Sequence, residues 1–401
     1  MRLVIQAVRL IDGIADRPHD EVDVVVDDDR ISAVVPHGSA IQGSVEGPSV
    51  RLVDGHGRTL LPGLIDAHAH YTFDPTEGSL QVIDERTDAR ILEKAEGHAG
   101  LALRAGITTA RGAGSIRGLE LVLRNRIAAG LTAGPRIVAS GTAIGAPDGH
   151  GIAFGVGARG WAALADATNA VIDGGADVVK IVASEAAMLT TTGHADERDV
   201  FGRPELDEAE IRAIVETAHG RGRRVMAHAQ DSESVRRCAL AGVDSVEHAW
   251  LADRAAIETL AEHDTTLVPT LTVTDVNRTL PGLTAVQRER QDLIESRHRA
   301  SCEAAIELGV PLATGTDTGE VGVTADMVWR EIALLVAHGA SPMVAIKAAT
   351  NGAARLLGLE SEIGSVAVGL RADLVLVDGD PLVDVATLAQ PVEVWAGGSS
   401  V

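Results

Sequence analysis

Four histidines, one aspartate and one lysine are the residues of this 401-residue chain best able to do chemistry together. His68 and His70 stand two apart in Ile65-Asp66-Ala67-His68-Ala69-His70. In an extended chain, residues i and i+2 face the same side, so the two imidazoles can grip one ion. His228 closes the run Val225-Met226-Ala227-His228, His248 closes Val246-Glu247-His248, and Asp317 closes Gly315-Thr316-Asp317. Imidazole suits zinc and similar divalent ions, and a carboxylate adds a harder oxygen ligand. Each histidine alone reads as well as a satisfied core residue. Five such groups, ending four β-rich runs, point to a metal.

Lys180 belongs with them. The chain contains three lysines, at 94, 180 and 347, so almost all its positive charge is arginine. Lys180 sits inside Asp177-Val178-Val179-Lys180-Ile181-Val182, a run apolar enough to bury it. A buried ammonium is unfavourable unless paired, and burial lowers the amine's pKa. One reading is an ion pair with an acid such as Asp317. The other is a neutral amine that takes up carbon dioxide as a carbamate, an anion whose two oxygens can bridge two metals. That reading needs metals beside it, which the histidines and Asp317 supply.

These groups need a frame. Strand candidates in the middle of the chain are Leu64–Ala67, Ile107–Ala110, Arg136–Ala139, Asp177–Val182, Arg224–Ala227, Ser245–Glu247, Thr265–Pro269 and Pro311–Thr314. Amphipathic stretches such as Asp88–Ala105, Trp161–Asp173, Glu208–Arg221 and Ala325–His338 alternate with them. Eight strands with intervening helices predict an α/β fold, a (β/α)8 TIM barrel over residues 61–362. Barrel active sites form at the C-terminal strand ends, where strands one, five, six and eight carry the ligands and strand four carries Lys180. Residues 1–60 and 363–401 are β-rich, with return strands expected at Gly364–Val368, Ala372–Val377 and Val392–Ala396, and predict one small β-sandwich domain built from both termini. Three long loops are expected, Tyr71–Glu85, Ser184–Leu206 and Thr272–Ala285, of the kind that serve as lids or substrate loops. Tyr71, His150, His194 and Arg203 lie on loops that should border the mouth and bind substrate, an arginine being able to hold a carboxylate bidentately. His298 reads as part of an ordinary helix face.

A net charge of −22 argues against nucleic acid and anionic membranes as partners and leaves a small-molecule substrate. Two cysteines without a CxxC pair give neither a disulfide framework nor a thiolate zinc site. With no secretory leader and no run of about 18 apolar residues, the expected location is cytoplasmic.

The motifs taken together resemble the amidohydrolase superfamily nearly end to end. Its opening signature is similar to Leu61-Pro62-Gly63-Leu64-Ile65-Asp66-Ala67-His68-Ala69-His70, and Gly175–Ile181, Gly315–Gly319, Ala349–Arg355 and Gly369–Leu376 are also family-like. Within it the chain resembles the imidazolonepropionase-like and prolidase-like branch. The resemblance implies a binuclear hydrolase with two divalent ions, zinc, cleaving an amide bond of an N-acyl amino acid, dipeptide or aryl amide through attack by a metal-bridged hydroxide. It makes His68, His70 and Asp317 ligands of one ion, His228 and His248 ligands of the other, and carboxylated Lys180 the bridge. Asp317 is also the catalytic proton acceptor, and homo-oligomers are common among such relatives, though no feature of this sequence sets the oligomeric state. Departures fall in substrate-facing loops: Arg111-Gly112 where Arg-Asp is common, Asp148-Gly149-His150-Gly151 where Gly-Gly-His-Gly is common, Ser184-Glu185-Ala186 after Lys180, and Gln230 two residues past His228. Alternatives in the same superfamily are a mononuclear deaminase or cyclic amidase, which generally lacks the lysine, and a binuclear lactonase or esterase. Outside it stands a metal-free scaffold, which would have shed ligands that this chain retains.

Overall fold

Valine- and isoleucine-rich runs open the chain, and β-branched side chains fit a pleated, half-buried surface. In the computed structural model, which describes residues 1–40, 49–76, 86–186 and 203–401, they form β1 (Arg2–Leu10), β2 (His19–Asp27), β3 (Arg30–Pro36), β4 (Val50–Asp54) and β5 (Arg58–Pro62). β1 pairs antiparallel with β2 along one edge. On its other edge its first half pairs with β4 and its last two residues with β5. The sheet forks at a bulge where Ala7 adopts φ 56°. The extra residue changes the parity of the buried face, from Leu3 and Ile5 before it to Val8 and Leu10 after it.

The chain then enters the barrel through β6 (Leu64–Ala69), β7 (Ile107–Gly112), β8 (Arg136–Val138), β9 (Ala143–Gly145), β10 (Gly155–Gly157), β11 (Val178–Val182), β12 (Arg224–Asp231), β13 (Ser245–Leu251) and β14 (Thr266–Val268). β6, β7 and β8 pair in parallel, as do β9, β11, β12, β13 and β14. β8 and β9 are two halves of one stave, and the Ala139 carbonyl joins it to β11 by accepting from the Asp177 amide at 2.7 Å. The eighth stave departs from expectation. Residues 311–314 make only an isolated bridge, Leu267 to Leu312, rather than a regular strand. The reason is where its amides go: Ala313 donates to Leu267, but Thr314 donates to Ala348 at the end of a helix. Closure still follows, because the Thr314 carbonyl accepts from Ala67 and the His68 carbonyl accepts from Asp317.

β15 (Leu374–Asp378), β16 (Glu393–Ala396) and β17 (Ser399–Ser400) return to the first sheet, with β15 antiparallel to β5. Leu3, Val24, Leu374 and Trp395 share its core. The expected return strand at Gly364–Val368 is instead a turn region, with Gly364 and Gly369 both at positive φ. Helices begin where side chains satisfy their first amides: Thr87 caps Asp88–Arg104, and Asp207 with Glu210 forms a capping box on Glu208–Gly220. The stretch expected as a loop from Thr272 contains the helix Leu271–Asn277. The helix Val328–Ala337 explains it. Its Glu331 accepts from the amides of Leu271 and Thr272, serving as a cap from a distant element. No helix of the described residues is long and apolar enough to cross a membrane.

Candidate metal centre

His68 is the penultimate residue of β6 and His70 the residue just beyond it. Both are buried, and both have one ring nitrogen already engaged. His68 Nδ1 donates to Glu247 Oε2 at 2.7 Å, and His70 Nδ1 donates to the Gly114 carbonyl at 2.8 Å. Their Nε2 atoms converge on one oxygen: each lies 3.3 Å from Asp317 Oδ1. The ligand atoms of the three residues all lie within 4.8 Å of one another. Burial pushes His70 towards its neutral form, against the pull of Asp317. A lone pair facing a carboxylate oxygen is repulsive unless a cation sits between them, so the donor set fits a metal ion. Burial opposes ionisation of Asp317, but the histidines hold its carboxyl below the usual range.

His248 on β13 and His228 on β12 extend the cluster. The ring of His248 lies 4.8 Å from that of His68 and 4.6 Å from that of His228. Thr270 Oγ1 holds His248 Nδ1 at 2.8 Å. Among the described residues, His228 Nε2 is buried with no hydrogen-bond partner, which fits a ligand nitrogen. Burial pushes both rings well below the ordinary histidine range, which keeps them neutral as ligands must be. Lys180 is buried on β11, opposite Met226 of β12. Among the described residues it makes no hydrogen bond or ion pair, so the pairing with Asp317 that its sequence allowed is not present. Burial pushes its amine down to about 8, with Glu247 and Asp317 pulling the other way.

Behind the ligands lies a set of residues to which sequence reading assigned no role. Glu247 is fully buried. It accepts from His68, from Arg111 Nη2 at 2.9 Å and from Ser245 Oγ at 2.5 Å. Burial would raise its pKa, but the Arg111 charge and the His68 bond bring it down to about 2. Such an outer carboxylate fixes the ligand's tautomer and ring orientation. Arg111 reaches it from β7 while donating to the Ala67 carbonyl at 2.7 Å. Asp66 ties the first stave to the eighth by accepting from the His68 amide and from the amide and hydroxyl of Thr316. Gly315 is required there, because a Cβ would lie 2.6 Å from that of His68. His248, Thr270 and Asp317 all hold left-handed φ values of 77°, 53° and 59°. Strain at three non-glycine positions around one cluster is what functional sites store. The chain has three phenylalanines, and two of them meet His70: Phe73 stacks parallel at 4.5 Å and Phe154 packs edge-on at 6.0 Å. That scarcity of aromatic residues was the available signal.

The residues expected to bind substrate divide. His150 is half-buried with its ring 5.6 Å from His228, and its amide donates to Glu205 Oε1 at 2.6 Å. Tyr71 does not face the mouth. It is buried in the apolar layer between barrel and helices, in one cluster with Ala95, Ala99 and Ile332, and among the described residues its hydroxyl has no hydrogen-bond partner. Placed just past His70, it follows the strand's alternation away from the ligands. Arg203 is exposed, its carbonyl accepting from the Glu185 amide at 2.9 Å. His194 lies outside the described residues. His298 is not on an ordinary helix face: it is buried, its Nδ1 meets Thr274 Oγ1 at 3.0 Å, and burial pushes its pKa down to about 3.

A model of the amidohydrolase family matches residues 59–401. The ochratoxinase of Aspergillus niger is 28% identical over 377 residues, covering 84% of this chain and 75% of that one. The imidazolonepropionase of Rubrobacter xylanophilus is 28% identical over 386 residues, covering 88% and 84%. Among solved structures, a Xaa-Pro dipeptidase with bound methionine in its active site superposes with a TM-score of 0.88 at 27% identity, covering 100% of both chains.

Proposed function

This chain belongs to the amidohydrolase family and carries its His–His–Asp metal site, and on that premise we propose that it hydrolyses an amide C–N bond with two divalent metal ions, zinc, bridged by carboxylated Lys180. The substrate class is a dipeptide, an N-acyl amino acid or an aryl amide. One observation carries the reading: a buried lysine that makes no ion pair among the described residues lies within electrostatic reach of His70, His228, His248 and Asp317 at one end of the barrel. His68, His70 and Asp317 would hold one ion, and His228 and His248 the other. Similarity to a dipeptidase and to ochratoxinase supports the amide bond. Similarity to imidazolonepropionase keeps a one-metal cyclic amidase as the second reading. Lys180 counts against it.

The bound ions would supply Lewis acidity towards the substrate carbonyl and a water acidic enough to ionise near neutral pH. The chain does the rest. Asp317 accepts the proton of the attacking water and passes it to the leaving nitrogen. Glu247, held by Arg111, keeps the His68 ring in the orientation its role requires. Phe73 and Phe154 wall His70 from solvent. His150 stands beside His228, where it can contact the bound substrate.

Two measurements test this. Protein loaded with zinc in bicarbonate buffer should hold two ions per chain and turn over at least one member of a panel of dipeptides, N-acyl amino acids and aryl amides. One ion per chain with turnover of a cyclic amide would select the second reading. Lys180→Ala should drop to one ion or none and lose turnover. Normal metal content and rate in that variant would exclude the bridging carbamate.

A further inference from the structure

The barrel has a concavity at the end remote from the histidines. A cavity of about 1020 Å³ lies where the strands begin, bounded by the start of β11 and β12 on one side and by the β-domain around Arg371 and Gly397 on the other. Part of its wall is apolar, with Ile127, Leu357 and Leu359. The rest is strongly basic: Arg111, Arg124, Arg136, Arg223, Arg224 and Arg371 line it, against the carboxylates of Asp177 and Asp373.

Most of that positive charge can be accounted for. Arg111 is spent on Glu247, Arg124 on Asp177 at 2.6 Å, and Arg136 on Asp373 at 2.9 Å. Both lining carboxylates are thereby used. Arg371 faces Asp29 at 3.4 Å. Arg224 lies 3.7 Å from Asp244, whose carboxylate already serves His219 and the Val225 amide. Arg223 has neither an ion pair nor a side-chain hydrogen bond among the described residues, and its Nε is buried without a partner. The Nε of Arg371 is buried without a partner as well. A chain of net charge −22 thus keeps a surplus of guanidinium groups in a half-open, half-apolar space. Buried donors left unpaired are unfavourable and call for an acceptor. The guanidinium fork matches carboxylate and phosphate oxygens better than any neutral group. Size and lining, apolar with a few convergent polar groups, are those of a small-molecule pocket.

We propose that this cavity binds an amphipathic organic anion, with a carboxylate or phosphate head on Arg223 and its neighbours Arg224 and Arg371 and an aryl or medium-length acyl body against Leu357 and Leu359. The site is separate from the metal centre. β12 begins at the cavity with Arg224 and reaches His228 only four residues later, so the two sites share a strand without sharing a mouth.

The test is titration calorimetry on the full metal-loaded chain with 2-naphthoate, 2-naphthyl phosphate and the neutral 2-naphthalenemethanol. One anion should bind once per chain, and the alcohol should not. The tighter of the two anions assigns the head group. Arg223→Ala should weaken binding about tenfold or more, the size of a lost charge-assisted hydrogen bond, and Arg223→Lys should weaken it less. Leu357→Trp, which fills the apolar end, should abolish it. Zinc content and melting temperature report that each variant is folded, and Arg223→Ala decides if Leu357→Trp is not. Equal binding of the alcohol, no binding of either anion, or affinity unchanged in Arg223→Ala would overturn the proposal, the last by placing the anion at the metal centre.

Discussion

Asp317 carries two duties that substitution can separate. As a ligand it needs one oxygen near His68 and His70, and as a proton acceptor it needs to be a carboxylate. Asp317→Asn keeps the oxygen and removes the basicity. Zinc content by elemental analysis should stay near that of the parent, while turnover falls by about 10²- to 10⁴-fold, the usual range for a lost general base. Turnover at the parent rate would remove Asp317 from the proton path. The cluster of His68, His70 and Asp317 was legible because several ligand-type residues end β-rich runs together, which no one of them alone would show. Glu247 was not, although it stands beside His248. A lone glutamate in an apolar run has no sequence mark that separates a ligand's anchor from a misplaced surface residue. The role of Arg111 is likewise silent until the barrel closes and its side chain reaches from β7 to Glu247 on β13. Tyr71 reads from sequence as a loop residue at the mouth, whereas in the structure its ring packs into the apolar layer outside the barrel.

Elements hold these residues through bonds that local sequence does not show. The helix Leu271–Asn277 has no cap of its own, because Thr270 adopts φ 53° and offers no side-chain bond. Glu331, 60 residues on, supplies the acceptor for Leu271, and it also binds Thr272 through amide and hydroxyl. A segment capped from so far away reads as a loop. Glu331→Ala should cost about 2–4 kcal/mol by urea denaturation, from buried donors left without acceptors. It should also weaken zinc binding, since Thr270 at the start of that helix holds His248. Glu331→Gln should be milder on both counts, and unchanged zinc affinity in Glu331→Ala would break the link to His248.

A second buried carboxyl gives the fold a pH dependence of readable sign. Glu120 lies against Gly112, where a Cβ would collide with it, and it accepts from the Gly141 amide at 2.6 Å. Burial raises its pKa to about 7. A carboxyl raised in the folded state binds its proton more tightly there than in the unfolded chain, so its contribution is fully present below about pH 4.5 and is lost as pH rises through about 7. Glu120→Gln cannot titrate. Relative to that variant, the parent should lose on the order of 2 kcal/mol of stability between pH 5 and pH 8. Parallel stability profiles would show that Glu120 does not titrate in this range. Regular strands rich in valine and isoleucine were legible at this scale. The eighth stave was not, because its amides divide between a strand and a helix.

At the scale of the whole molecule, two β-rich ends enclosing an alternating middle made the composite β-domain legible. What joins that domain to the barrel was less so: Asp373 falls in the family-like Gly369–Leu376 stretch, but nothing in that stretch shows which groups it binds. Asp373 lies just before β15 and is buried. Its Oδ2 accepts from Arg136 at the start of the third stave at 2.9 Å, its Oδ1 from the Gly397 amide in the β16–β17 turn at 2.7 Å, and its carbonyl from Gly63 at the barrel entrance at 2.7 Å. Asp373→Ala keeps only the last of these. It leaves Arg136, one third exposed, without its carboxylate and the Gly397 amide without an acceptor. Breaking a buried pair typically costs about 3–5 kcal/mol. Partial exposure of Arg136 lowers the expectation here to about 2–4 kcal/mol. Asp373→Asn, which can still accept from Gly397, should lose about half as much. Because Asp373 works at the end of the barrel remote from His68 and Asp317, the folded fraction of either variant should keep its full zinc content. Urea denaturation followed by zinc analysis of the native fraction checks both halves. Loss of zinc from protein that remains folded would mean that the docking of the β-domain shapes the metal centre as well as supporting the barrel.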